Sequence, residues 1–283
     1  MRSLLLPIPL LLASCSAETQ DWVPAGRLET THLHLLTARS PEATRRVADL
    51  LEKGIEAYRD LYGRAFALPV RPPRLTVYLF SDRGAFERAA AREAPELDLK
   101  GVTGFYSYPS RILYVGCRRG LSEEAVCAVA LHELLHALDH QWARRVPDEG
   151  PDALPPWLLE GRADHLAYGL IPPGRAQGKA LGRSLAEGSL AGLVALDAKD
   201  FQDEAYGNYA MAWAFVNFLW EGEEGRRAEA FREFLKGMPE HCGRAELEKA
   251  LGPLEALEEP FRAYVETRMA PVLKGGNPRR SPP

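Results

Sequence analysis

The chain has 283 residues, of which 46% are hydrophobic and 26% charged, and this length is enough to bury one substantial core. Its 35 basic and 39 acidic residues give a formal net charge of -4, which becomes -5 if Arg2 is removed with an export signal. Proteins that bind nucleic acids are usually basic, so this composition argues against that class and we expect no nucleic-acid partner.

The first residues, MRSLLLPIPLLLASC, are typical of an export signal. The apolar run from Leu4 to Leu12 is too short to span a bilayer as a helix, which takes about 20 residues. The following LASC sequence resembles a bacterial lipobox. It predicts a signal peptide over residues 1–14 and lipid on Cys15, with an ordinary secretory signal as the alternative. We therefore expect a protein of the bacterial cell envelope that contacts the membrane only through its lipid anchor.

The first part of the mature chain predicts a small sheet with helices. The segments 32–38 (HLHLLTA) and 74–80 (RLTVYLF) have the alternation or the β-branched and aromatic residues of strands, and 101–115 (GVTGFYSYPSRILYV) predicts two strands joined by a turn. Two helices are expected between these strands. One begins at Ser40 and the other near Asp82.

The segment 131–140, LHELLHALDH, contains His132, Glu133 and His136 at the spacing HExxH. Positions four apart lie on one face of an α-helix, so the two imidazoles can bind one ion. The apolar residues around them predict a buried helix over 121–141. Zinc held by two imidazoles and a carboxylate keeps one position open for water, and Glu133 can accept a proton from that water.

A second acidic motif follows in PPWLLEGRADHLAYG, residues 155–169, where the prolines favour the start of a helix. Glu160 and Asp164 are four apart and share a helix face. One carboxylate can then bind the metal while the other accepts a hydrogen bond from a ligating histidine. A solvated acidic face is the alternative, and the apolar neighbours of both residues count against it.

The sequence HELLH followed by PPWLLEGRAD resembles the active-site helices of the gluzincins, the thermolysin-like peptidases of the peptidase MA-like superfamily. The resemblance implies that Glu160 is the third zinc ligand and that Asp164 orients a histidine. It also implies that Trp157, Gly161 and Ala163 allow the two helices to pack closely.

The same resemblance extends over roughly residues 121–265, because the segments 205–222 and 244–265 are similar to later helices of these families. In this group the last strand before the HExxH helix is an exposed edge, to which an extended peptide adds by backbone hydrogen bonds. The segment 104–115 is the candidate for that edge.

Other residues near the motif bear on the identity of the third ligand. The residues after His136 lack the glycine and histidine of a metzincin motif, which excludes that class. His140 is two turns beyond the start of the motif, so we expect a surface residue or a partner of a ligand. If the Glu160 carboxylate points away from the histidines, Glu149 and Asp152 are next in line as the third ligand.

An oxyanion forms when water attacks a peptide carbonyl, and a hydroxyl can stabilise it. Tyr209 and Tyr206 are candidates for this role, although a core tyrosine at the start of a buried helix is an equally good interpretation. His165 is a weaker candidate.

The expected fold class is α+β, with a small mixed sheet over residues 27–116 and a mainly helical lobe over 121–270. Together these form one zincin-like domain over 27–270, followed by a disordered tail over 271–283. Cys117, Cys127 and Cys242 allow at most one disulfide, because their number is odd.

The expected function is that of a zinc-dependent metallohydrolase, and specifically of a peptidase acting on a peptide or protein substrate. The alternative is an envelope protein that binds zinc and holds a peptide without cleaving it. An intact Glu133 favours catalysis, because a pure binding module has no need of a general base.

Overall fold

A computed structural model describes residues 24–95, 99, 101–116, 122–148, 150–151 and 154–269, without the side chains of Arg175, Ala205 and Tyr206. Several predictions from the sequence therefore lie outside the described residues. These are the signal peptide with Cys15, the tail 271–283, Cys117, Glu149 and Asp152.

The first half of the chain forms a mixed five-stranded sheet in the order β1-β2-β3-β5-β4. Strands β2, β3 and β5 are parallel in the centre, and β1 and β4 run antiparallel at the two edges. This confirms the predicted α+β class with a mixed sheet. The strands are β1 Gly26–Glu29, β2 Leu33–Thr37, β3 Leu75–Leu79, β4 Gly104–Ser107 and β5 Ile112–Val115.

The β4–β5 hairpin corrects the prediction about the exposed edge. The last strand before the HExxH helix is β5, and it lies inside the sheet between β3 and β4. The chain turns back after β4, so that β5 inserts next to β3 and leaves β4 as the edge. The exposed edge is therefore only Gly104–Ser107, the first half of the predicted segment.

Eleven α-helices lie within the described residues. Helices α1 and α2 accompany the sheet, and the other nine form the second half of the chain, as the predicted helical lobe requires. They are α1 Pro41–Tyr62, α2 Arg83–Glu93, α3 Glu123–Gln141, α4 Pro156–Leu170, α5 Arg175–Glu187, α6 Leu190–Ala195, α7 Ala198–Asp203, α8 Ala205–Glu221, α9 Ala228–Lys236, α10 Arg244–Leu251 and α11 Leu254–Arg268.

Local sequence explains where the first three helices begin. The side chains of Ser40, Asp82 and Ser122 each accept a hydrogen bond from the backbone N–H three residues later, at 3.2, 2.6 and 3.2 Å. Such caps satisfy one of the N–H groups that a helix start leaves without a partner. The position of α3, which carries HExxH, is thus fixed at its N-terminus by Ser122.

One continuous apolar core joins the sheet to the helices. Helix α1 packs between β2 and α3, and α4 packs between α3 and α8. Gly161 of α4 lies against α8, where an added Cβ would be 2.6 Å from the carbonyl oxygen of Ala212. The close approach allowed by Gly161 is therefore with α8, and its predicted place between the two metal-binding helices is wrong.

Within the described ranges, every helix is either too short or too polar to cross a membrane. Cys127 and Cys242 are free thiols. The sequence allowed at most one disulfide, and in the described part of the chain neither of these two cysteines is in one.

Candidate metal centre

The side chains of His132, His136 and Glu160 converge on one point between α3 and α4. The Nε2 atoms of the two histidines are 3.3 Å apart, and the Glu160 carboxylate oxygen Oε2 lies 3.0 Å from His132 Nε2 and 3.7 Å from His136 Nε2. Zinc bonds of about 2.0–2.1 Å in a tetrahedron place two ligand atoms about 3.3 Å apart. The three donor atoms therefore fit a tetrahedral zinc ion.

The two helices explain this convergence. On α3 the spacing of four residues puts both imidazoles on the face towards α4, and on α4 the first turn begins at Pro156, one turn before Glu160. His136 is 6% exposed, and packing of the surrounding apolar side chains holds its ring in place. The predicted convergence of these three groups is confirmed.

Asp164, one turn after Glu160, holds the far side of one imidazole. Its Oδ1 accepts a hydrogen bond from His132 Nδ1 at 2.9 Å, and its Oδ2 accepts one from Gln177 Nε2 of α5 at 3.4 Å. When the imidazole is neutral, a proton on Nδ1 leaves the lone pair of His132 Nε2 facing the convergence point. Asp164 and Gln177 thus set the tautomer and the ring orientation that a ligand needs.

The charges of the centre favour a bound cation. Burial acts to raise the pKa of Glu160, yet the charges of His136 and His132 and a hydrogen bond from His132 hold it well below its usual value. Burial opposes the charging of His132, but its hydrogen bonds to Asp164 and Glu160 raise its pKa well above 6.5. The two carboxylates thus hold a proton on the imidazole, and a divalent cation would neutralise more of their charge than that proton does.

Burial also raises the pKa of Asp164. In the described part of the chain, the ion-pair partners of Glu160 and Asp164 are imidazoles and not lysine or arginine. A buried carboxylate pair without a permanent cation is costly unless a metal joins it. The donor set therefore fits zinc in charge as well as in distance.

Glu133 lies beside this centre and is not one of the three converging groups. Burial raises the pKa of its carboxyl above the usual value, although the charges of His132 and His136 act to lower it. Strand β4 passes so closely that a Cβ at Gly104 would be 3.5 Å from Glu133 Cγ. The edge strand thus lies against the side chain that the sequence singled out as a base.

A cavity of about 690 Å³ opens next to His132 and Glu133. Its walls come from the start of β4, the first three turns of α3, the end of α4 and the start of α5. Apolar side chains make up most of these walls, among them Val129, Ala167 and Tyr168, while Gln177 and Gln202 add amide groups.

Tyr209 of α8 also lines this cavity, and its ring stacks on His132 with the centroids 6.0 Å apart. Its hydroxyl accepts a hydrogen bond from Gln202 Nε2 at 3.1 Å. Burial and the nearby Glu160 raise its pKa well above 10, so the hydroxyl keeps its proton. The side chain of Tyr206 lies outside the described residues.

Two histidines outside the centre have other partners. His165 is buried and hydrogen-bonded to Asn217 of α8, so its predicted weaker role as an oxyanion donor has no support from its contacts. His140 is 4% exposed and bonds to Tyr106 Oη at 2.8 Å and Asp148 Oδ1 at 2.9 Å. The predicted surface position of His140 is wrong, because the β4–β5 hairpin covers it.

The sequence analysis missed Gln177 and Gln202, which contact Asp164 and Tyr209. Neither belongs to a motif, and both come from helices with no fixed spacing to HExxH.

No protein-family model matches this chain, and a search of curated proteins finds no significant match.

Proposed function

We propose that the protein is a zinc-dependent metallohydrolase of the gluzincin type, and that it hydrolyses peptide bonds. The observation that carries this proposal is the convergence of His132, His136 and Glu160 at tetrahedral spacing. Beside them lies a further carboxylate, that of Glu133, which is not one of the converging groups. Three protein ligands leave a fourth position for water, as catalytic zinc sites require.

A bound zinc ion supplies a Lewis acid that polarises a carbonyl and lowers the pKa of water. Glu133 accepts the proton of the attacking water and later delivers it to the leaving amine, and its raised pKa suits both steps. Asp164 keeps His132 in the tautomer that presents Nε2. The Tyr209 hydroxyl, still protonated, donates a hydrogen bond to the oxyanion.

The proposed substrate is an extended peptide with an apolar side chain next to the cleaved bond. Gly116 N–H bonds to Thr103 O, so the alternation of an antiparallel pair directs the backbone of Gly104 and Tyr106 away from β5. This free edge runs along Glu133 and can pair with a peptide, while the adjoining cavity can take an apolar side chain.

The test combines metal analysis with digestion of a peptide library by the purified mature protein. We expect about one zinc ion per chain, cleavage before or after large apolar residues, and loss of cleavage with a chelator. The control is Glu52→Gln, which alters a glutamate paired with His32 away from the centre and should leave cleavage unchanged. Stoichiometric zinc without cleavage of any peptide would favour the alternative of a zinc-binding envelope protein that only holds a partner.

We further propose that the protein is exported to a bacterial cell envelope and anchored by lipid on Cys15. The support is the LASC sequence after a short apolar run. Mass spectrometry of the protein from a bacterial host should find a mature chain that starts at an acylated Cys15. A different mature start, or an unmodified cysteine, would contradict the anchor.

A further inference from the structure

A second group of buried polar side chains joins the same two helices, one turn beyond His136 on α3. Asp139 of α3 and Arg162 of α4 are both 0% exposed, and Tyr58 of α1 joins them. We call these three residues the Asp139 junction. Nothing in the proposed reaction uses them, although burying a charge pair is costly.

Hydrogen bonds link the three side chains of the junction and so connect α1, α3 and α4. Arg162 Nη1 donates to Asp139 Oδ2 at 2.6 Å and Nη2 to Oδ1 at 3.0 Å, so that the contact is bidentate. Tyr58 Oη donates to Asp139 Oδ1 at 2.7 Å. A planar guanidinium bonded twice to one carboxylate sets both distance and orientation.

Aromatic rings complete the setting. The guanidinium carbon of Arg162 lies 4.3 Å from the ring centroid of Tyr62 and 5.2 Å from that of Phe66, so the cation makes cation–π contacts with both rings. The Nε atom of Arg162 is buried without a hydrogen-bond partner in the described part of the chain. The junction is therefore not optimised for stability alone, because apolar side chains of equal volume would avoid this unsatisfied donor.

The junction is close to the metal ligands along both helices. Asp139 follows His136 by three residues, about 4.5 Å along the axis of α3, and Arg162 follows Glu160 by two, about 3 Å along α4. A helix is stiff over one turn, so a shift at the junction moves the ligands with it. The distances of 3.0 and 3.7 Å between Glu160 and the two histidines depend on the same helix spacing.

We propose that Asp139, Arg162 and Tyr58 are positioning residues for the metal centre, because they hold α3 and α4 at the spacing at which the three ligands fit zinc. This inference rests on the proposed function, since it takes the ligand set as given. Without the junction, apolar packing would still join the helices, but with a looser spacing and roll. Metal affinity should then fall even where the fold is kept.

The test is the double variant Asp139→Leu with Arg162→Met, which removes both charges together and so leaves none of them buried alone. We expect it to fold with a Tm near that of the wild type, and to bind zinc roughly ten-fold more weakly in competition with a chromophoric chelator. Its cobalt-loaded form should have visible absorption bands that differ from those of the wild type, because these bands report coordination geometry.

The control is the double variant Thr37→Val with Thr44→Val, which removes a buried hydrogen bond of 3.0 Å between β2 and α1, away from the ligands. It should lower Tm without changing zinc affinity. This comparison separates a positioning effect from a general loss of stability.

A folded Asp139/Arg162 double variant with wild-type zinc affinity and an unchanged cobalt spectrum would overturn the proposal. If that variant does not fold, Tyr58→Phe decides, since it removes one hydroxyl and should weaken zinc binding by roughly three-fold; wild-type affinity there also overturns it. A wild-type protein that binds no zinc would instead refute the proposed function, and this result is obtained before any variant is compared.

Discussion

The metal centre and the Asp139 junction bury charges between the same two helices, but they balance those charges differently. In the junction, one carboxylate meets one guanidinium in a bidentate pair, and a tyrosine hydroxyl adds a further hydrogen bond. In the metal centre, Glu160 and Asp164 share two imidazoles, and their ion pairs in the described residues include no arginine or lysine. In the junction the two opposite charges already balance each other, whereas the two carboxylates of the candidate centre have only imidazoles as partners in the described residues.

This contrast teaches how to separate a structural polar cluster from a functional one. Both are buried, hydrogen-bonded and located on conspicuous helices, so burial and contacts alone do not distinguish them. The balance of permanent charge does, since the carboxylate of the junction has a guanidinium partner and those of the candidate centre have only imidazoles in the described residues. The following variants test that difference.

Glu133→Gln tests whether the metal centre is catalytic, a role that the junction cannot have. The variant keeps the size of the side chain and removes the base, so kcat should fall by about 10²- to 10⁴-fold while zinc content stays at the wild-type value. Kinetics on a cleaved peptide and metal analysis of the same sample measure both. Loss of zinc, or cleavage at the wild-type rate, would show that the role assigned to Glu133 is wrong.

Removing one carboxylate from each cluster should affect the stability of the metal-free protein very differently. Asp139→Ala leaves Arg162 charged and buried, so we expect a loss of about 3–5 kcal/mol of unfolding free energy. Glu160→Ala removes one of two carboxylates that share a histidine proton, and should cost far less. Urea unfolding in the presence of a chelator measures both values, and equal losses would break the comparison.

For zinc affinity the order of these two variants should reverse, so that Glu160→Ala has the larger effect. Glu160→Ala removes a proposed ligand. It should lower zinc affinity by more than the roughly 10- to 100-fold loss that is typical when a residue hydrogen-bonded to a ligand is replaced. Glu52→Ala, which breaks the remote pair with His32, is the matched control and should leave the affinity unchanged. A Glu160 variant with wild-type affinity would mean that another group supplies the third ligand.

Asp164→Ala should have a smaller effect than loss of a ligand. It removes the acceptor for His132 Nδ1, so the imidazole can rotate or change tautomer, and zinc affinity or activity should fall by about 10- to 100-fold. Asp164→Asn keeps an oxygen acceptor and should recover part of the loss. If both variants behave like the wild type, the orienting role of Asp164 is refuted.

The two helix-face pairs of the candidate metal centre were predictable from the sequence because each pair is local. The spacing of four residues fixes which side chains share a helix face, and this holds for His132 with His136 and for Glu160 with Asp164. The Asp139 junction was not predictable, since Tyr58 is 81 residues from Asp139 in the chain.

The same distinction applies to the fold. The helix starts at Ser40, Asp82 and Ser122 followed from capping, and most strands from their alternation. Strand β1 was missed because its four residues, GRLE, contain one apolar side chain. The order of β4 and β5 was also not predicted, since strand order depends on which neighbours pair and not on the residues of the strand.

By itself the sequence determined the α+β class, the two helices with their candidate ligand residues and the identity of the expected base, because each depends on periodicity or capping within a few turns. Only the tertiary structure decided that Glu160 faces both histidines, that Gly161 packs on α8, that β4 lies against Glu133, and that Arg162 joins Asp139. These features depend on how distant segments approach one another, and that is set by packing of the whole core.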